Sequence, residues 1–268
     1  MQMPFTRFRS ADRWYSYIHE KHRLNMLLIL EELSRLRTIQ DSFAVVGGLS
    51  LLLWGRLQHR VLWDIDLLFK DKFSILKFLA LPKDPRFDVV SLEDEFADSE
   101  TVVSFHTAWG RGSRWINVDY LSRANWYYFH RTTIDHLGDF EEKVEMEGRE
   151  IRIQLPVAYP WDMFIEKSLS PRLENDLSSA NDLSYDLRHV FILFEQEKEN
   201  PRFWRYIRRK AEEFSRLLEL KERLLWIFGQ RERLGYGHVG VADSVIRQIE
   251  GWAQYAHSGH KGRQWKGR

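Results

Sequence analysis

Cysteine is absent from the 268 residues. That excludes a disulfide framework, a zinc–thiolate site, an iron–sulfur cluster and a cysteine nucleophile, and it fits a reducing compartment. Long apolar runs are also missing. The longest, Met26 to Leu30 and Leu49 to Trp54, fall far short of the ~18 to 20 residues of a membrane span. Met1 to Ser10 carries two arginines but leads into no apolar core with a small-residue cleavage site, so no signal peptide is expected. There is no internal repeat, no Walker lysine motif, no Gly-x-Ser-x-Gly elbow and no His-x-x-x-His pair. A cytoplasmic protein with no membrane partner is the expectation.

Net charge is nearly absent as well, with 40 Lys+Arg against 39 Asp+Glu. The balance hides an asymmetry. Residues 1–200 hold 25 basic and 32 acidic side chains, and residues 201–268 hold 15 and 7, a body of −7 and a final quarter of +8. Arg202, Arg205, Arg208, Arg209 and Lys210 recur at spacings of three and four, which predicts a cationic stripe along a helix that could meet a polyanion. Glu212, Glu213, Glu219 and Glu222 follow and could equally neutralise it as a solvated face.

The hydrophobic period changes near residue 156. Before it, a helix is predicted over 13–38 and strands over 43–46, 65–69, 87–92, 101–107, 115–121 and 149–155, with helices over 49–57 and 73–80. Trp109, Trp115, Trp126, Tyr127 and Tyr128 cluster in this strand region. After it, helices are predicted over 161–169, 177–197, 201–228 and 241–255, with Pro160 and Pro201 opening two of them. The expectation is a domain of residues 1–155 and a helical domain of 156–268.

One stretch points to chemistry. Val45-Val46-Gly47-Gly48 runs from a strand into a helix, a geometry that lets backbone approach an anion at a helix N-terminus. Sixteen residues after Gly48 comes Asp64-Ile65-Asp66-Leu67. Side chains alternate along a strand, so both aspartates share one face while Ile65 and Leu67 enter the core. Paired carboxylates repel unless a cation lies between them, which asks for Mg²⁺ or Mn²⁺. In Asn117-Val118-Asp119 a third carboxylate stands on a like strand, and three can serve a two-metal phosphoryl displacement.

With Gly47-Gly48, the following helix, Arg60, Asp64, Asp66 and Asp119, the sequence resembles the nucleotidyltransferase superfamily with the DNA polymerase β-like fold, in particular its AbiEii-like toxin branch, over about residues 43–187. The resemblance implies an α+β fold, a mixed sheet flanked by helices with a helical region after it. It implies that Gly47, Gly48, Ser50 and Arg60 hold an NTP substrate, that Asp64, Asp66 and Asp119 are metal ligands, and that Asp119 is also the base. Trp161 to Lys167 resembles the helix that brings a lysine, Lys167, to the triphosphate; read alone, Lys167 is equally a surface lysine. Asn181-Asp182 to Asp186-Leu187 resembles a further segment of the family, where Asp182 is a structural or base-binding candidate. The implied reaction is metal-dependent transfer of an NMP to a hydroxyl acceptor, an RNA or tRNA end or a protein side chain, in a toxin system with a possible antitoxin partner. Two alternatives stay open. Leu49, Leu62 and Trp63 around the motif suit a non-catalytic nucleotide- or partner-binding module, and a small-molecule nucleotidyltransferase of the antibiotic-modifying kind is the other.

Overall fold

The computed structural model describes residues 6–10, 13–40, 42–57, 64–98, 102–131, 138–170 and 185–252. Within them, strands that alternate apolar and polar residues and helices with one apolar stripe can bury both faces only by layering. Strands β1 (Thr6–Phe8), β2 (Phe43–Val46), β3 (Asp64–Phe69), β4 (Asp88–Ser91), β5 (Ala97–Asp98), β6 (Val103–Arg111), β7 (Arg114–Ser122), β8 (Gly138–Met146) and β9 (Arg149–Val157) form one mixed sheet. Its order is β1-β8-β9-β2-β3-β7-β6-β4, with β5 paired to β6. The pairs β1/β8, β9/β2 and β3/β7 are parallel and the rest antiparallel.

Helices α1 (Glu20–Ile39), α2 (Gly47–Leu53), α3 (Lys72–Leu79) and α4 (Ala124–Arg131) flank the sheet, and α5 (Pro160–Ser168) packs on α2. Four more follow: α6 (Tyr185–Glu197), α7 (Pro201–Glu213), α8 (Leu217–Gly229) and α9 (Asp243–Glu250). This mixed sheet flanked by helices is the fold class expected. Ile65, Leu67, Ile116, Val118 and Tyr120 are fully buried on one sheet face. There Phe78 of α3 meets Phe43, Phe69 and Tyr120 at ring-centroid distances of 5.4, 5.3 and 5.9 Å. The opposite face carries the aspartates.

Several elements differ from expectation, each for a local reason. The first predicted helix begins as a short 3₁₀ turn at Trp14–Tyr17, and the α-helix starts only at Glu20. The helix expected over 201–228 breaks between α7 and α8, where Ser215 takes φ 59° with no glycine or proline to signal it. Strand β8 went unpredicted because Glu141, Glu142, Lys143 and Glu145 give it the composition of a solvated segment. Helix α4, which carries Trp126, Tyr127 and Tyr128, lies in the strand region where no element is predicted. Residues 177–184 of the helix expected over 177–197 lie outside the described residues. No helix among those described is long and apolar enough to cross a membrane.

Candidate functional site

β2 ends at Val46, and α2 opens at Gly47 with φ 69°, a left-handed backbone that glycine adopts without a Cβ clash. The missing side chain has a second use. A Cβ built on Gly47 would lie 1.8 Å from Asp66 Oδ2, so the glycine is a cradle in which the Asp66 carboxylate rests. Gly48, half-buried, completes the first turn of α2.

β3 pairs with β7 in parallel, with Asp64 opposite Asn117 and Asp66 opposite Asp119. Residues paired across neighbouring strands share a face and stand about 4.8 Å apart in backbone, so register brings Asp66 and Asp119 side by side and Asp64 one step along. All three are half-buried. On the next strand, His106 lies opposite Asp119 in β6, with its Nδ1 2.9 Å from Asp119 Oδ1 and its Nε2 3.9 Å from Glu93 Oε1. Because an ionised carboxylate only accepts, the Nδ1–H is the donor that fixes Asp119.

A cavity of about 100 Å³ opens on this face, lined by Gly47 and Asp66 on one side and by Glu166, Lys167 and Asp186 on the other, with Arg123 at its edge. Leu68 and Leu121 form its apolar floor. Lys167 Nζ donates to Asp186 Oδ1 at 2.7 Å, and Ser170 Oγ donates to Asp186 Oδ2 at 2.8 Å. The fold thus brings Gly47, Asp66 and Lys167 into one cavity, with Asp64 and Asp119 on the same sheet face beside it. Ser50 is placed otherwise: fully buried, its hydroxyl donates to the Gly47 carbonyl at 2.8 Å and braces the turn from within. Arg60, Leu62, Trp63, Asn181 and Asp182 lie outside the described residues.

Three residues at the site were missed in the sequence. His106 carries the alternating signal of a strand residue facing Asp119, legible only once β6 and β7 are in register. Arg123 follows β7 four residues after Asp119, and Glu166 adjoins Lys167.

Behind the cavity lies a buried polar cluster. His130 of α4 is wholly buried, its Nε2 3.4 Å from Glu166 Oε1 and its Nδ1 3.8 Å from Asp162 Oδ2, ion-pair separations and not hydrogen bonds. Burial by itself would lower its pKa, but the Glu166 and Asp162 carboxylates outweigh that and raise it to about 9. Asp162 is pulled the other way: burial would raise it, while Lys210 and His130 hold it below the usual carboxylate value. Lys210 Nζ sits 2.8 Å from Asp162 Oδ1, and the Tyr206 hydroxyl donates to that oxygen at 2.6 Å. Lys210 is therefore not part of the exposed stripe that its spacing predicts, because it closes a buried ion pair.

Among the described residues no three His, Asp or Glu side chains are gathered closely enough to hold a metal ion by themselves. The donor chemistry still fits a hard cation. Mg²⁺ is commonly held by one or two carboxylates together with substrate phosphates, without an all-protein cage, and Asp66 and Asp119 are adjacent oxygen donors on one face.

No family model matches the sequence, and no curated relative does. Solved structures do match. A candidate nucleotidyltransferase from H. pylori aligns with a TM-score of 0.41 at 12% identity, over 86% of this chain and 92% of that one. An antigenic nucleotidyltransferase-like protein from Paracoccidioides brasiliensis aligns with a TM-score of 0.44 at 13% identity, over 83% and 96%. JHP933 from Helicobacter pylori aligns with a TM-score of 0.39 at 13% identity, over 87% and 90%.

Proposed function

We propose that the chain is a metal-dependent nucleotidyltransferase that moves an NMP from an NTP to a hydroxyl acceptor. The observation that carries this reading is the Asp66 carboxylate seated against Gly47, in register with Asp119, in the cavity that holds Lys167. Asp66 and Asp119, with Asp64 one step along β3 and substrate phosphates completing the coordination, would hold Mg²⁺ or Mn²⁺, which when bound neutralises charge on the reacting phosphate. The acceptor oxygen attacks the α-phosphorus, the bond from that phosphorus to the α–β bridging oxygen breaks, and pyrophosphate leaves. Asp119, oriented by His106, takes the hydroxyl proton. Lys167 and Arg123 supply positive charge where the leaving group gains negative charge, the location at which fixed charge accelerates transfer most. The described cavity of about 100 Å³ has room for phosphate groups; whole small-molecule sites are typically about 300 to 1,000 Å³.

The acceptor class we favour is RNA, with a tRNA end to be tried first. Incubating the protein with α-labelled NTPs, Mg²⁺ and total RNA is expected to label an RNA band, and Asp64→Ala and Asp66→Ala are expected to lose that label. No transfer by the wild-type chain, or equal transfer by Asp64→Ala, overturns the reading. The AbiEii-like toxin role with a cognate antitoxin follows from the motif resemblance. It predicts growth arrest on expression of the wild-type chain in the cytoplasm, relieved in Asp66→Ala.

One observation favours a second reading, a module that binds nucleotide without turnover: Lys167 is already paired with Asp186, and Asp119 with His106. Calorimetry separates the two. NTP binding that requires metal supports the enzyme, and metal-independent binding without turnover supports the module.

A further inference from the structure

Helix α5 has two functional sides. At about 100° per residue, Trp161 points away from Met163 and Lys167, so the α5 side that faces the aspartates is not the side that carries Trp161. There lies a second cavity, of about 660 Å³. Its ring wall is Tyr159, Trp161 and Tyr206, packed edge to face with Trp161 5.3 Å from both neighbours. The Tyr206 ring is held by its hydroxyl, tied to buried Asp162 at 2.6 Å. The buried indole N–H of Trp161 has no hydrogen-bond partner among the described residues, which leaves an unused donor in the wall.

The other wall is cationic. Arg202, Arg205, Arg208 and Arg209 of α7 line the cavity against a single carboxylate, Glu212. From Arg202 to Arg209 the helix advances about 10 Å, more than one phosphate group can cover. Helix α7 divides its cations: Lys210 is paired internally with Asp162, while Arg202, Arg205 and Arg209 are exposed and Arg208 is half-buried, and Arg209 also lies 5.9 Å from the Tyr206 ring.

We propose that this cavity binds a single-stranded polynucleotide, with its phosphates on the arginines and an unpaired base on the ring wall. Guanidinium groups pair with phosphate oxygens and also stack on planar rings, and the half-buried Tyr159 and Trp161 rings, backed by buried Tyr206, offer any base a stacking surface. An acidic peptide would satisfy the arginines and leave the rings unused, and a duplex would keep its bases out of reach. The proposal gives the transferase reading an acceptor class and rests on it for that purpose alone, since binding is measured without nucleotide or metal.

The test is fluorescence anisotropy of the full chain with labelled 12-nucleotide RNA and DNA strands of mixed sequence. Four phosphate contacts at about −0.7 in log–log slope each predict an affinity loss of about fifty-fold between 50 and 200 mM salt. The triple variant Arg202→Gln/Arg205→Gln/Arg209→Gln changes exposed side chains only. It is expected to weaken binding at least about ten-fold and to flatten the slope by about two. Trp161→Phe is expected to keep most of the affinity and Trp161→Leu to lose it. Equal binding of both strands supports the proposal, and a preference for RNA supports it and adds a 2′-hydroxyl contact. Unchanged binding by the triple variant, equally tight binding of a poly-glutamate peptide or of duplex, or displacement of the strand by ATP with Mg²⁺ overturns it. A chain that binds the strand but transfers nothing loses the transferase reading and keeps this one. A chain whose acceptor KM is untouched by the triple variant keeps the transferase and loses this one.

Discussion

At the scale of single residues, the site depends on what Gly47 lacks. Its φ of 69° and the 1.8 Å approach of Asp66 Oδ2 to a Cβ are separate penalties. Gly47→Ala is expected to cost about 1–3 kcal/mol, measured by urea denaturation, and to displace the Asp66 carboxylate. Because the clash is with that carboxylate, Gly47→Ala/Asp66→Ala should be less destabilised than the two single changes added together. Strict additivity would show that the glycine serves the backbone conformation alone. The three aspartates were legible in the sequence through period-two alternation with Ile65, Leu67 and Val118. The Gly47–Asp66 contact was not, because it depends on the turn between β2 and α2 closing over β3.

Among elements, the α5–α7 joint carries a conflict between pattern and packing. Spacings of three and four place Lys210 with the exposed arginines, yet packing turns it inward to Asp162 and Tyr206. A stripe of charge along a helix does not say which of its edges faces a neighbour, and α5 decides that. Removing one partner of a buried pair leaves an uncompensated charge, so Lys210→Met alone is expected to cost about 3–5 kcal/mol. Lys210→Met/Asp162→Asn should recover part of it in a denaturation double-mutant cycle. Zero coupling would mean that Lys210 contributes packing and no charge. Similar reasoning explains β8. Its outward acids hide the strand, whereas buried Phe140 and Val144 and a full antiparallel register with β9 define it.

For the whole molecule, the buried cluster that joins α4, α5 and α7 makes stability depend on pH. His130 rises from an ordinary 6.5 to about 9 in the folded state. Its stabilisation is therefore fully present below pH 6.5 and is lost as pH rises through 9. The loss is at most about 3 kcal/mol. Asp162, depressed, acts in the opposite sense: its contribution is present above the ordinary carboxylate value and is lost on acidification. Unfolding midpoints should fall between pH 6.5 and 9.5, and His130→Gln should flatten that alkaline limb. An equally steep limb in His130→Gln would assign the titration elsewhere.

The local code of the chain determined a good deal by itself: the strand periods, the glycine turn, the two strands that carry the aspartates and the change to helices near residue 156. These depend on neighbours a few residues apart, where side-chain alternation and backbone preference act. Tertiary structure alone decided that Asp66 faces Asp119, that Asp186 holds Lys167, that His106 fixes Asp119 and that the arginines of α7 share a cavity with Trp161. Those contacts join residues far apart in sequence, and the registers of β3 and β6 on β7 and the packing of α6 and α7 against α5 bring them together.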